Sequence, residues 1–294
     1  ATGSVYVLTP PTPTPTPPPT GGFPTPVAGA PGAKGLGATT ATTYNAPVSS
    51  FRPALNGTFS GLNFTPMARP PETGTRVEYD GAGGYTLTRN DGQTVSFDDD
   101  DIVDDRVSAT QYRVTVNGIQ NDIALSKIDS AEQGYLTLTY HVVGAWTQVN
   151  TVNPGDVRTN EFIIFGNKTQ SLPTGSATYN LDRGIGLTGT DRTFTAFNFL
   201  PNSTGSLSVD FGAGSLSTIL NLIGTDETNQ STKNFGTFNG TGNITSGADF
   251  EGTFGSDGAF YGSFFGPAAE EVGYVVAIDS PGLQASGTVS GTKD

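Results

Sequence analysis

The chain has 294 residues, a formal net charge of -13 and no cysteine. The absence of cysteine excludes disulfides, thiolate metal sites and cysteine nucleophiles, and the negative charge disfavours nucleic acid and anionic membrane surfaces as partners. Only 14% of the residues are charged, beside 40 glycines, 18 phenylalanines and 10 tyrosines, which is typical of an all-β protein. No apolar run approaches the roughly 20 residues of a membrane span and the start lacks a signal pattern. We therefore expect a mature chain without membrane insertion.

The chain begins with a Pro/Thr-rich tail, residues 1–32, in which ten of the 20 prolines lie between Pro10 and Pro31. Such a run favours an extended polyproline II spacer, and a disordered tail is the alternative. A solvated linker has no need of the apolar, β-prone run that precedes the prolines. We predict that this run contacts a partner: Val5, Tyr6, Val7 and Leu8.

The next two regions are predicted to be an extended Gly/Ala/Thr-rich segment, residues 33–74, and a first β domain, residues 75–165. Asp91 and Gly92 form a hairpin signal within the β domain, because this pair tolerates positive φ. The strands predicted for the domain are Gly84–Arg89, Thr94–Phe97, Gln111–Asn117, Asp122–Ile128 and the pair Gly134–Val143 and Trp146–Val149.

The remainder, residues 166–294, has the pattern of a continuous antiparallel meander. Polar and apolar residues alternate strictly over Ser206–Phe211, and turn signals recur every eight to fourteen residues, which favours a barrel or sandwich. Closing such a sheet removes its exposed edges. The predicted strands are Gly175–Asp182, Thr193–Phe199, Ser206–Phe211, Ser215–Ile223, Asn234–Asn239, Asp249–Phe254, Ala259–Phe264, Val272–Ile278 and Gln284–Ser290.

Three glycine- and aromatic-rich segments in the second half together resemble one family. The most specific is GSFFGPAAEEVGY, residues 262–274, and the others are FIIFGNKT with LPTGSATY at 162–179 and FGTFNGTGNI with FEGTF at 235–254. A glycine-aromatic strand followed by Phe-Gly-Pro-x-Ala-Glu-x-x-Gly is similar to the barrel signature of transferrin-binding protein B. Factor-H-binding proteins and single-lobed solute-binding-like proteins have related barrels.

The resemblance implies one lobe, in which a handle-like β region precedes an eight-stranded antiparallel barrel. It also implies a protein displayed on the outer-membrane surface of a Gram-negative bacterium, or released outside the cell. Surface members of the family are usually lipidated on an amino-terminal cysteine, which this sequence lacks. Members differ in ligand through their loops, so the resemblance does not carry transferrin over to this chain.

The most conspicuous polar feature is a run of six carboxylates in eight residues, from Asp98 to Asp105. Carboxylate oxygens suit calcium, but the spacing does not fit an EF-hand loop and no glycine lies at its centre. A solvated acidic loop is the favoured interpretation. We predict that the loop meets a basic patch on a partner through its first four members: Asp98, Asp99, Asp100 and Asp101.

His141 is the only histidine and carries the remaining chemical hypotheses. It could ligate haem, as in haem-binding relatives of this fold, or serve a triad with the nearby Ser126 or Ser130, but a lone strand histidine is usually structural. There is no Gly-x-Ser-x-Gly elbow and no phosphate loop. We therefore predict no catalysis, no metal site and no cofactor.

Two functions from different classes remain. The first is a binding protein that captures an unknown protein or small-molecule ligand through loops of the handle and barrel. The alternative is a structural subunit whose amino-terminal strand completes the sheet of a neighbouring copy, which gives a filament or coat when the contacts do not close.

Overall fold

The computed structural model describes residues 23–51, 66–132, 136–150, 159–193 and 195–294. Over these ranges the chain is built of antiparallel strands, with one four-residue α-helix, α1 (Gly32–Gly35), and two single turns of 3-10 helix, Pro71–Thr73 and Asp99–Asp101. The predicted all-β class is confirmed. None of the described helices is long and apolar enough to cross a membrane.

The first part of the described chain forms two sheets, which together make the handle. Four strands lie in the order β1-β4-β5-β6, and seven lie in the order β3-β2-β11-β10-β9-β8-β7. Strands β2 and β3, from the segment 33–74, therefore join the same sheet as the later strands. The handle strands are β1 (Thr42–Ala46), β2 (Val48–Phe51), β3 (Met67–Arg69), β4 (Thr75–Tyr79), β5 (Tyr85–Thr88), β6 (Thr94–Phe97), β7 (Ile102–Asp105), β8 (Ala109–Val116), β9 (Ile119–Ser126), β10 (His141–Asn150) and β11 (Thr159–Gly166).

The two handle sheets enclose an aromatic core that contains a buried ion pair. Trp146 and Tyr112 are among its largest fully buried side chains. Arg89, just after β5, lies 2.7 Å from Glu161 of β11, and both side chains are less than a tenth exposed. The Arg89 guanidinium also lies 5.5 Å from the centre of the Trp146 ring. A buried charge is tolerated only when it is paired and hydrogen-bonded, so this pair ties one sheet to the other.

The prediction of two separate strands is wrong where the handle has one. The expected pair Gly134–Val143 and Trp146–Val149 is instead a single strand, β10, and the described residues 136–140 before it form no strand. Gly144 does not make a turn here. Its missing side chain leaves room for Ile163 and Leu125, which lie 2.8 and 3.2 Å from the position that a Cβ would take.

The second part of the chain forms the barrel, whose ten strand segments occupy eight positions around a closed ring. Segments β12 and β13 lie end to end against the last strand, β14 and β15 lie end to end against β16, and β16–β17 pairing completes the ring. The predicted eight-stranded barrel is confirmed. Its segments are β12 (Ser176–Asn180), β13 (Ile185–Thr190), β14 (Ala196–Asn198), β15 (Thr204–Asp210), β16 (Ser215–Asp226), β17 (Thr232–Ser246), β18 (Asp249–Thr253), β19 (Gly258–Phe265), β20 (Glu271–Ser280) and β21 (Leu283–Lys293).

The first two barrel positions are interrupted at the same level. The first breaks at residues 181–184 and the second at residues 199–203. The two breaks face each other, because the Leu181 N–H donates to the Gly205 carbonyl at 3.1 Å and the Phe199 N–H donates to the Leu187 carbonyl at 3.2 Å. The sequence patterns did not predict β13, whose Ile-Gly-Leu-Thr-Gly-Thr stretch carries two glycines in six residues and is therefore a weak strand signal.

Aromatic rings lie across glycine backbones inside the barrel. A Cβ on Gly240 would stand 2.9 Å from the Phe260 ring and 3.0 Å from the Phe254 ring, closer than such contacts allow. Phe260 is fully buried and also packs on Phe254, with ring centroids 5.2 Å apart. Because glycine has no side chain, aromatic rings from neighbouring strands occupy this space and fill the barrel interior.

The handle packs against the outside of the barrel over β20 and β21, so these strands are covered on both faces. All residues of β20 are buried except Asp279. Tyr274 and Val276 point into the barrel core, whereas Val275 packs outside against Ile164 of β11. A strand buried on both faces needs a continuous apolar run, not an alternating one. This accounts for the stretch Val-Gly-Tyr-Val-Val-Ala-Ile.

We expect the protein to unfold in alkali because several of its phenols are buried. Burial raises the pKa of Tyr44 to about 12, and it raises the pKa of Tyr85, Tyr112, Tyr179 and Tyr274 as well. The unfolded chain ionises near pH 10, so the stability from these groups is complete below pH 10 and is lost above it. Tyrosinate absorbance and β-sheet circular dichroism should change together. Ionisation of the core phenols near pH 10 with the circular dichroism unchanged would contradict this.

Candidate functional site

A cleft of about 260 Å³ opens where the seven-stranded sheet and the barrel wall diverge. Val143 and Ala145 of β10 face the cleft, whereas Val142 and Trp146 on the opposite face of the strand belong to the handle core. The handle wall is formed by Ala109, Ala124, Val143, Ala145 and Phe162; the barrel wall by Gly184, Gly186, Leu200, Thr288 and Ser290; Leu136 and Leu138 also line the cleft. The cleft is therefore mostly apolar.

A buried polar chain stands behind the cleft, where the handle meets the barrel. His141 of β10 lies with Nδ1 2.8 Å from Oε2 of Glu271 and Nε2 2.9 Å from Oγ of Ser290. The three residues are 0, 3 and 2% exposed. A carboxylate can only accept, so Nδ1 donates to Glu271 and Nε2 is left for the Ser290 hydroxyl.

Glu271 completes this polar chain by satisfying two backbone donors. Its Oε1 accepts from the Thr139 N–H at 2.6 Å and its Oε2 accepts from the Tyr140 N–H at 3.0 Å. The imidazole of His141 stacks on Phe265, with ring centroids 4.8 Å apart, and a Cβ at Gly273 would stand 3.0 Å from its Nε2. One barrel carboxylate therefore fixes the segment immediately before β10 to the barrel wall.

The order of hydroxyl, imidazole and carboxylate is that of a hydrolase triad, but the setting differs. A catalytic serine stands exposed on a sharp strand-to-helix turn, whereas Ser290 lies within β21 and its N–H donates to the Gly184 carbonyl. Both nitrogens of His141 are engaged, so neither is free to ligate haem iron. Ser126, which with Ser130 was a candidate triad member, instead accepts a hydrogen bond from the Val143 N–H at 2.9 Å.

Two cations line the cleft, and no carboxylate does so among the described residues. The Nζ atom of Lys127 lies 2.8 Å from Oδ1 of Asp105, and hydrogen bonds from Lys127 and then Thr110 lower the pKa of that carboxyl. Arg183, at the break between β12 and β13, is exposed and forms no ion pair with a described carboxylate. It is therefore the uncompensated charge of the cleft.

The predicted acidic loop lies apart from the cleft, between β6 and β7. Asp98 caps a turn of 3-10 helix by accepting from the Asp100 N–H at 2.9 Å, and Asp101 accepts from the Asp98 N–H at 3.1 Å. Asp99 reaches Lys34 at 3.7 Å. In the described ranges no group of three or more acidic or histidine side chains is arranged to hold a metal ion. Val5, Tyr6, Val7 and Leu8 lie outside the described residues.

Loops at one end of the barrel form a second exposed surface, anchored by ion pairs. Asp191, in the β13–β14 turn, lies 2.7 Å from Nζ of Lys233, and Arg192 lies 2.6 Å from Asp279. Burial alone would raise the pKa of Asp191, but hydrogen bonds from Lys233 and Thr193 outweigh it and lower the pKa to about 2. Residues 227–230 of the β16–β17 loop are all exposed at this end.

The sequence of the barrel decides its family. Residues 172–293 match the model that describes the C-lobe and N-lobe β-barrels of Tf-binding protein B. The barrel belongs to the transferrin-binding-protein-like β-barrel family. No curated protein matches the sequence.

Solved structures with similarity to this chain include transferrin-binding and lactoferrin-binding proteins. Transferrin-binding protein B of serogroup B Neisseria meningitidis is 15% identical, with a TM-score of 0.41, over 84% of this chain and 43% of that one. A mutant of the Haemophilus parasuis Hp5 protein is 14% identical, with a TM-score of 0.45, over 84 and 45%. The N-lobe of lactoferrin-binding protein B of Moraxella bovis is 10% identical, with a TM-score of 0.36, over 85 and 99%. This chain thus spans less than half of the first two proteins.

Proposed function

We propose that this protein is a non-catalytic binding protein on the outer-membrane surface of a Gram-negative bacterium, or released from it, that captures a host or environmental macromolecule. The observation that carries the proposal is the family match of the barrel over residues 172–293. The net charge of -13 favours a partner with a basic surface, because opposite potentials steer association.

Two surfaces suit such a partner because their residues are exposed to solvent. One is the barrel loop of residues 227–230, and the other is the acidic turn, where Asp98 and Asp101 cap the backbone while Asp99 and Asp100 face solvent. Loops held on a rigid scaffold are the usual carriers of recognition. The interior of the barrel, filled by buried rings, offers no such surface.

The test is affinity capture by the immobilised full chain from host serum and from spent medium, followed by titration with the purified captured protein. Two variants probe the surfaces: Glu227→Lys with Asn229→Lys, and Asp99→Asn with Asp100→Asn. The control, Ala213→Lys with Thr245→Lys, places two lysines at exposed positions at the other end of the barrel, one on the β15–β16 turn and one near the end of β17. We expect saturable binding that at least one probe variant weakens about tenfold or more while the control leaves it intact.

Two results would contradict the proposal: no protein captured above the level of a blank matrix, or equal capture by all variants. The filament hypothesis is tested separately by deleting residues 1–20, because only self-assembly through the amino-terminal strand requires them. If the filament hypothesis holds, light scattering should detect assemblies of the full chain that disappear when residues 1–20 are deleted.

A further inference from the structure

We propose that the cleft between handle and barrel binds a medium-chain fatty acid, with its carboxylate on Arg183 and its acyl chain between the two walls. This site is distinct from the loop surfaces of the proposed function and does not depend on them. Three features of the cleft carry the inference: its apolar walls, its size and its charge.

The walls of the cleft offer an apolar surface to an acyl chain. Val143, Ala145 and Phe162 approach from the handle, and Leu200 from the barrel. Each of the four side chains is only partly buried, so apolar area remains for a guest to cover. Covering apolar area is the main driving force for binding of this kind.

The size of the cleft selects a short chain. A cavity of about 150 Å³ accommodates a benzene-sized guest, and this cleft has about 260 Å³. In the same proportion it accepts about ten non-hydrogen atoms, which is the size of octanoate with its carboxylate. Longer chains must leave methylenes in water, where they add little to the affinity.

The charge of the cleft selects an anion. The protein carries 27 acidic and only 14 basic residues, yet its described cleft-lining residues include Lys127 and Arg183 and no carboxylate. Asp105 already neutralises Lys127, which leaves the planar guanidinium of Arg183 for the ligand. Arginine binds a carboxylate through two parallel hydrogen bonds. The carboxylate of the fatty acid therefore has a matching donor, Arg183, in the lining of an otherwise mostly apolar cleft.

The test is calorimetric titration of the full chain with octanoate, beside octanol and octyltrimethylammonium as neutral and cationic probes of equal chain length. We expect octanoate to bind saturably and most tightly. Affinity should rise about fourfold per methylene from hexanoate to octanoate, the factor for one buried methylene, and then level off. Amide chemical shifts should change at Val143, Ala145 and Gly186, on both walls.

Two variants and one control localise the site. Arg183→Gln should weaken octanoate binding about tenfold, as the loss of a charged hydrogen bond does. Arg192→Gln removes a partly exposed cation at the loop end of the barrel and should leave the affinity unchanged. Ala124→Phe fills the cleft from the handle wall and should abolish octanoate binding. Circular dichroism is used to confirm that this variant is folded.

The proposal is overturned if octanoate does not saturate, if the cationic probe binds as tightly as octanoate, or if Arg183→Gln binds octanoate as the unmodified protein does. The Arg183 and Arg192 variants decide the matter even if Ala124→Phe does not fold, because both of those side chains are at least partly exposed.

Discussion

Replacing Glu271 by alanine should lower the free energy of unfolding by about 3–5 kcal/mol, the usual loss when one member of a buried charged network is removed. The substitution leaves His141 without its Nδ1 partner. It also leaves the N–H groups of Thr139 and Tyr140 without an acceptor, and each buried orphan donor carries its own cost. Chemical denaturation followed by circular dichroism measures the change.

The neighbouring carboxylate gives a matched control. Glu270 accepts one hydrogen bond, from the Ala268 N–H at 2.9 Å, and is only partly buried. Glu270→Ala should therefore cost about 1 kcal/mol. Equal effects of the two substitutions would show that the polar chain behind the cleft does not hold the handle to the barrel. Glu271→Gln keeps one acceptor oxygen and should fall between them.

Replacing Arg89 by alanine should destabilise the handle by about 3–5 kcal/mol, because Glu161 would remain buried without its cation. Lysine should not restore stability, since Arg89 also donates to Gln93 and Gln148 and one ammonium cannot reproduce the planar fork. Trp146, the only tryptophan, lies beneath the guanidinium. Its fluorescence therefore reports unfolding of the handle.

An exposed ion pair serves as the control for Arg89. Arg113 lies 2.6 Å from Asp122, but its side chain is 51% exposed, so Arg113→Ala should destabilise the protein far less than Arg89→Ala does. The double change Arg89→Met with Glu161→Leu should recover most of the lost stability, because both buried charges are gone. A double variant as unstable as Arg89→Ala would contradict this account of the pair.

The barrel was predictable from sequence where local signals agree. Strict alternation over Ser206–Phe211 places β15 correctly, and the Ser256-Asp257-Gly258 turn separates β18 from β19. Local signals failed at β13, where glycines weaken the pattern, and at Gly144, where a glycine fits a close packing contact. In both cases a neighbouring strand requires the glycine, since a Cβ at Gly189 of β13 would clash with the Gln284 carbonyl oxygen of β21. Local sequence patterns do not include such contacts.

The polar chain behind the cleft was beyond such a reading. The partners of His141 are 130 and 149 residues away in the sequence, so only the closed barrel and the docked handle bring them together. Serines near in sequence to His141 were the natural candidates, and the structure places Ser290 there instead. The sequence around Arg183 likewise has only the features of a turn, so its place in the lining of the cleft could not be predicted.

The paired breaks at residues 181–184 and 199–203 have a mechanical consequence. The breaks interrupt the hydrogen bonding of two adjacent strand positions at the same level of the barrel, whereas the neighbouring strand β16 is continuous. Fewer backbone hydrogen bonds therefore join the barrel wall at this level, on the side that carries Arg183. We expect backbone amides at the two breaks to exchange with solvent sooner than those of β16, because local opening is easiest where the fewest hydrogen bonds must break.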